Sequence, residues 1–190
     1  MDAQHLANAP VELNTDRLRL LAPRPEFALP FVQSLNRSLP ELHFIAFAQR
    51  ERTPEWGHQF LARDLHFWAK GECLAYYAFE KTSGGYVGRI DLHSWDFSTP
   101  RCEVGYVGDT QTAGRGLMRE AVLACVNLAF ELGAVRVQAL SESGNRRALH
   151  FAEHALGFVR EGVLRNYERD AQGKLGSQVM FATYNPVAGD

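Results

Sequence analysis

The chain has 190 residues, 46% hydrophobic and 22% charged, and its 20 basic and 22 acidic side chains leave a net charge of −2. That length and composition predict a single globular domain with its own core. The charge balance argues against a duplex nucleic-acid surface. The longest apolar stretch, 117–132, is broken by Arg119, Glu120, Asn127 and Glu131, which argues against a membrane span.

Residues 1–14 lack periodicity and are expected to form a loose tail ahead of a domain spanning 15–185. Arg17 to Leu21 reads as a first strand, with Leu18 and Leu20 on one face. A helix over 26–37, interrupted by Pro30, and an irregular segment over 38–52 follow. The next helix has a clear start: Thr53 is a good N-cap, Pro54 suits the first helical position, and Glu55 complements the helix dipole. Leu61, Leu65 and Trp68 then recur at helical spacing until Gly71 ends the run.

From residue 72 the period changes to two. Cys73 to Phe79 and Tyr86 to His93 are predicted strands joined by "TSGG", with Tyr86, Gly88, Ile90 and Leu92 on one face. Cys102, Val104 and Tyr106 alternate with Glu103, Gly105 and Val107 in the next strand. Residues 117–132 are helical and apolar almost all round, which implies burial against a sheet. Val135, Val137 and Ala139 mark another strand, and Asn145 caps a helix carrying Leu149, Ala152 and Leu156. Two final strands, 158–168 and 174–183, flank the turn "DAQG", and "NPVAGD" reads as a second loose end. This order predicts an α/β fold with a mixed sheet rather than an alternating doubly wound one.

The three cysteines, Cys73, Cys102 and Cys125, lie far apart in apolar segments and form no metal-ligand spacing, so buried free thiols and no metal site are expected. No apolar run follows a basic stretch at the start, so no signal peptide is expected and a cytoplasmic location fits.

Chemistry concentrates in "DTQTAGRGLMREAV", Asp109 to Val122. Gly114 and Gly116 stand between a strand and the start of a buried helix. Missing Cβ atoms there let backbone N–H groups converge on an anion, the helix dipole adds positive potential, and Arg115 adds a charge. A phosphate-bearing ligand is one reading of this loop, and a plain strand-to-helix turn is the other. "GRGLMREA" is neither G-x-G-x-x-G nor a P-loop, so the two usual nucleotide motifs do not fit.

With its surroundings, this stretch resembles the GNAT superfamily of acetyl-CoA-dependent N-acetyltransferases, and most of all the RimJ/RimL-type enzymes that acetylate ribosomal-protein N-termini. The resemblance runs through "NTDRLRLLAPRPE", "GGYVGRIDLHSWD", "CEVGYVGD", "AGRGLMREAV", "NRRALHFAEHALGF" and "REGVLRNYERDAQGK". It implies a mostly antiparallel mixed sheet, splayed at its centre and flanked by helices. The family's Gln/Arg-x-x-Gly-x-Gly/Ala pattern fits in two frames: Gln111, Gly114 and Gly116 literally, or Ala113, Gly116 and Met118 by distance to the apolar helix, the preferred frame. Acetyl-CoA is then expected on the backbone of Ala113, Gly114, Arg115, Gly116, Leu117 and Met118. Its pantetheine arm is expected between the strand at 103–107 and the strand at 135–141, beside Val104, Tyr106 and Asn145, with Asn145 either a helix cap alone or a cap that also contacts the arm.

Acetyl transfer needs a base for the acceptor ammonium, a polarised carbonyl and a proton for the leaving thiolate. Glu103 is the candidate base, with Asp91 and His93 behind it; a solvated or ion-paired strand glutamate is the competing reading. Backbone N–H groups near Val104 to Tyr106 are candidates for polarising the carbonyl. The resemblance places the usual Ser and Tyr acids at Ala148 and Ala152, which cannot donate, and leaves Ser141 and Tyr167 as weaker substitutes. Residues 145–157 are one residue longer than the family pattern, which predicts a bulge or a shifted helix end. The loop "SWDFST", through Asp96, is a candidate acceptor contact, and Trp56, Trp68, Trp95 and Phe47 are expected to be mainly core. The acceptor is expected to be a protein or peptide N-terminus. A small amine and a non-catalytic acyl-CoA sensor are the alternatives, and the sequence is compatible with a homodimer.

Overall fold

Residues 1–169 and 173–187 are described in a computed structural model. The period-two segments become strands of one eight-stranded sheet, in the order β1-β2-β3-β4-β5-β6-β8-β7 among the described residues. They are β1 (Glu12–Asn14), β2 (Leu18–Leu21), β3 (Leu74–Glu80), β4 (Tyr86–Asp96), β5 (Arg101–Gly108), β6 (Arg136–Glu142), β7 (Val159–Arg169) and β8 (Leu175–Tyr184). Every neighbouring pair is antiparallel except β5 and β6, which run parallel. The longer helices are α2 (Ala28–Ser38), α3 (Pro54–Ala69) and α4 (Leu117–Glu131), and a short α5 (Arg146–His150) follows β6.

The sheet divides the apolar residues into two cores. Residues of α4 pack on one face against Tyr76, Ile90, Leu92, Cys102 and Val104. On the other face Phe31 and Leu35 of α2 and Phe60 and Leu61 of α3 pack against Ala75, Tyr77 and Val107. Both faces of the central strands are therefore covered. Helix α3 starts where the capping residues place it, with the Trp56 N–H donating to the Thr53 hydroxyl at 3.3 Å. Close approach of α4 depends on missing side chains in the sheet. A Cβ on Gly88 would lie 2.4 Å from the Met118 sulfur, and one on Gly108 would lie 2.8 Å from Met118 Cγ.

Three expectations are corrected. Tyr86 does not share a face with Ile90 and Leu92, because Ala78 pairs with Gly88 but Phe79 pairs with Tyr86, leaving Val87 as an extra residue. Val87 therefore joins Ile90, and Tyr86 turns to the α2/α3 side. The expected loose tail is docked: α1 (Ala3–Ala7) is capped by Asp2, β1 pairs with β2, and Leu6 is wholly buried. Gly71 accommodates that docking, since a Cβ on it would meet the Ala3 carbonyl oxygen at 1.9 Å. At the other end the Asn185 N–H donates to the Val135 carbonyl at 3.0 Å, which ties back the start of "NPVAGD". Residues 170–172 of the predicted turn and 188–190 lie outside the described residues. The extra residue after Asn145 appears as a π-helical turn, Phe151–Ala155, in which the Leu156 N–H donates to the Phe151 carbonyl at 2.9 Å.

Candidate active site

Strands β5 and β6 pair only at Arg101 with Arg136, Cys102 with Val137 and Glu103 with Gln138. Beyond Glu103 they separate. Val104 to Gly108 stay bound to β4 on one side, and Ala139 to Glu142 stay bound to β8, so each strand turns a backbone edge into the gap. The gap opens toward the carboxyl ends of both strands. There the glycine loop follows β5 and Asn145 follows β6. This is the expected splay, with its apex one residue before Val104.

The glycine loop takes the shape that its residues require. Gly114 and Gly116 have φ of +77° and +73°, in the region that favours glycine. Gly116 is the N-cap of α4, and no side chain caps that end. The amides of the first turn, beginning with Leu117, Met118 and Arg119, therefore have no intrahelical acceptor and suit an anion. Leu117 is buried and Met118 packs over the sheet, so both offer backbone alone. Ala113 ends a 3₁₀ turn over Thr110–Thr112, which contains Gln111 and which Asp109 caps by accepting the Gln111 N–H at 2.9 Å. Asp109 is in turn ion-paired with Arg37 of α2, anchoring the loop.

Arg115 differs from expectation. Its guanidinium is bound to Glu80 rather than turned inward as a further charge. A residue not singled out in the sequence, Arg17, lies nearer. It donates to the Arg115 carbonyl at 2.9 Å, pairs with Glu120 at 2.6 Å, and its Nη2 lies 3.6 Å from where a Gly116 Cβ would stand.

At the apex lies a row of charges crossing from α3 to β6. Arg89 grips the buried Asp64 through two hydrogen bonds of 2.7 and 3.0 Å, and Tyr77 adds a third at 2.9 Å. Arg89 also binds Asp91, whose Oδ2 lies 2.8 Å from His93 Nδ1. That last contact is at ion-pair distance without hydrogen-bond alignment. His93 Nε2 lies 3.6 Å from Glu103, and Gln138 Nε2 donates to Glu103 at 3.4 Å. Desolvation pulls the His93 imidazole down, but the flanking Asp91 and Glu103 carboxylates outweigh it and raise it to about 10. Burial likewise raises Asp91, yet Arg89 and His93 hold it below the ordinary carboxylate range. His93 is therefore an imidazolium at neutral pH and Asp91 a committed anion, so neither is free to take a proton.

The readable sign of this row was Arg89, Asp91 and His93 alternating on one face of a mostly apolar strand. Asp64 and Gln138 carried no such sign, since each is polar for a partner distant in sequence.

Asn145 caps α5 by accepting the Ala148 N–H on Oδ1 at 3.1 Å, which leaves its Nδ2 donors facing elsewhere. Ala152 is buried, and beside it Phe151 meets the Tyr106 ring edge-on at 5.2 Å, joining the two walls of the gap. Burial pushes the Tyr106 phenol up to about 12. Of the substitute acids, Ser141 lies in the separated half of β6, whereas Tyr167 is exposed on β7 at the far edge of the sheet. The Asp96 carboxylate is occupied by Ser98, Thr99 and Arg101 in its own turn. Trp68 is core, the Trp95 indole N–H donates to the Leu92 carbonyl, and Trp56 and Phe47 border a cleft.

Residues 17–159 match the model of the GNAT acetyltransferase domain. A curated relative, the uncharacterized N-acetyltransferase p20 of Bacillus licheniformis, is 28% identical over 114 residues, spanning 60% of this chain and 63% of the relative. Among solved structures, a microcin C7 self-immunity acetyltransferase in complex with acetyl-CoA and AMP superposes with a TM-score of 0.84 at 17% identity, covering 94% of this chain and 99% of that one. The ribosomal L7/L12 α-N-protein acetyltransferase RimL, solved with coenzyme A, gives 0.79 at 18% identity, covering 92% and 96%. A ribosomal-protein-S5-alanine acetyltransferase from Vibrio fischeri gives 0.77 at 20%, covering 95% and 100%.

Proposed function

Because this chain belongs to the GNAT acetyltransferase family, we propose that it moves the acetyl group of acetyl-CoA to a primary amine, namely the α-amino group of a protein or peptide N-terminus. The observation that carries this reading is the place of Glu103. It is the last paired residue before the strands part, and it is half-enclosed beside Gln138 and His93.

In this reading the pyrophosphate sits on the open amides after Gly116, which both motif frames share. The pantetheine arm pairs with the free edge of Val104 to Tyr106, and Asn145 Nδ2 donates to it. Glu103 accepts a proton from the acceptor ammonium, whose ordinary pKa lies near 8 for an α-amino group. The neutral amine attacks the thioester carbonyl, polarised by a β5 N–H. The zwitterionic tetrahedral intermediate gives its second N–H proton to water and collapses to amide and thiolate. Water protonates the thiolate, because Ala148 and Ala152 offer no acid.

The experiment is incubation with acetyl-CoA and a panel of N-terminal peptides and small amines, reading released thiol. Peptide turnover supports the reading. Turnover confined to small amines moves the acceptor class, and coenzyme binding without any turnover makes the domain a sensor.

A further inference from the structure

Four residues on one side of α3, Trp56, Gln59, Phe60 and Arg63, face Phe47 and Arg52 across a cleft of about 280 Å³. Its floor is aromatic: the Phe60 ring lies 5.1 Å from Phe47 and 4.9 Å from Trp56. Two guanidiniums stand on that floor, Arg52 4.7 Å above Trp56 and Arg63 4.3 Å above Phe60. Arg52 Nε is held by the Phe47 carbonyl at 2.9 Å, which fixes its plane and leaves its terminal nitrogens to donate. Most arginines nearer the charge row or the glycine loop have a carboxylate partner. Among the described residues neither Arg52 nor Arg63 has one.

The cleft also adjoins the chemistry. Phe60 rests on Arg89 at 5.3 Å, so one aromatic ring separates the cleft from the row that ends at Glu103, on the same face of the sheet. A second depression, lined partly by Glu168 and Arg169, spends those groups internally: Gln178 donates to Glu168 at 3.2 Å and Arg169 to the Gly173 carbonyl at 2.6 Å. Of the two, the Arg52/Arg63 cleft is the one that leaves positive charge over for a ligand.

We infer that this cleft holds an anionic part of the acceptor, a carboxylate or phosphate carried beside a planar group, and so selects acidic acceptors. The anion meets the two guanidinium forks, and the planar group stacks on the guanidinium planes that cover Trp56 and Phe60. For a peptide acceptor this means aromatic and acidic side chains just after the first residue. The inference rests on the acetyl-transfer reading for its link to Glu103, but not for the binding itself.

Two peptide amides test it, Ser-Tyr-Glu-Glu-Gly and Ser-Tyr-Lys-Lys-Gly. The acidic peptide should show kcat/KM at least about tenfold above the basic one, shrinking as salt rises. Arg52→Met with Arg63→Met should bring the two peptides close together while coenzyme A still stabilises the fold. Arg63→Met alone touches no backbone acceptor and should lower the preference even if the double variant folds poorly. Calorimetric titration of both peptides without acetyl-CoA separates this inference from the reading beneath it. Preferential binding of the acidic peptide with no turnover upholds the cleft and removes the transferase reading. Turnover without charge preference overturns the cleft and leaves the transferase. Competition by AMP assigns the cleft to ring-bearing phosphates; a peptide preference that AMP does not disturb assigns it to peptide carboxylates.

Discussion

Gln138 Nε2 donates to Glu103 Oε2 at 3.4 Å, and the two residues form the last rung shared by β5 and β6. One pair thus ends the sheet's continuity and holds the carboxylate of the proposed base. On the other side His93 supplies a positive charge to the same carboxylate. Glu103 is therefore ion-paired, as one reading of the sequence had it, and also stands at the gap. The ion pair is the competing reading of this glutamate, and activity of a Glu103 variant decides between the two.

Glu103→Gln tests the base. The amide keeps the shape and can still bond Gln138, but it cannot accept a proton at neutral pH. Turnover should fall by about 10²–10⁴-fold with little change in coenzyme affinity. The loss should shrink as pH rises toward and beyond the amine's own value, because more acceptor arrives neutral. Full activity in this variant would remove Glu103 from the chemistry.

Coenzyme A should raise the melting temperature, since only the folded loop assembles the open amides. Gly114→Val with Gly116→Val should abolish that shift. Both positions have positive φ, so a β-branched residue is strained there and the loop must rearrange. An unchanged shift would place the phosphates elsewhere.

Asn145→Asp separates two roles of one side chain. Aspartate caps a helix as well as asparagine does, so stability should hold. It lacks the Nδ2 donors, so coenzyme affinity should drop about tenfold if they reach pantetheine. Calorimetry that finds equal affinity would leave Asn145 as a cap alone.

His93 makes stability depend on pH. Its folded value, raised to about 10 from 6.5, means the folded protein keeps a proton that the unfolded chain releases between those limits. The stabilisation is complete below 6.5 and is lost as pH rises through 10. His93→Gln should flatten that part of the wild-type decline in melting temperature measured from pH 6 to 10. Parallel curves for the two proteins would mean that the imidazolium is not held.

Arg89→Met should cost about 3–5 kcal/mol, because it leaves Asp64 and Asp91 buried without their partner. Urea unfolding measures this directly. A loss under about 1 kcal/mol would show that the two carboxylates find other partners or take up protons.

How much of this was legible varies by element. The Thr53–Pro54 start of α3, the all-round apolar α4 and the glycine loop were readable because local physics decides them: capping, helical period and missing Cβ atoms. The surplus residue after Asn145 was readable only against the family pattern, as a bulge or a shifted helix end, and the helix takes it up within itself as a π-helical turn. Tyr86 was assigned to the wrong face because Val87 bulges out of the ladder, and one inserted residue reverses every side chain on one side of it.

From Arg17 onward the sequence by itself determined the kind of main elements, their order and several of the residues able to do chemistry. Tertiary structure alone decided who meets whom. Leu6 has no periodic neighbours to announce it, yet it is buried because the short α1 docks on a surface built by residues far along the chain. Arg115 had the look of a phosphate ligand until Glu80, 35 positions away, claimed it. Asp64, Arg89, Asp91, His93, Glu103 and Gln138 come from α3, β4, β5 and β6, and the enclosed charges among them, Asp64, Arg89 and Asp91, depend on one another. A buried charge is set by its partner across space, and that partner is chosen by strand register and helix packing, which no short stretch of sequence contains.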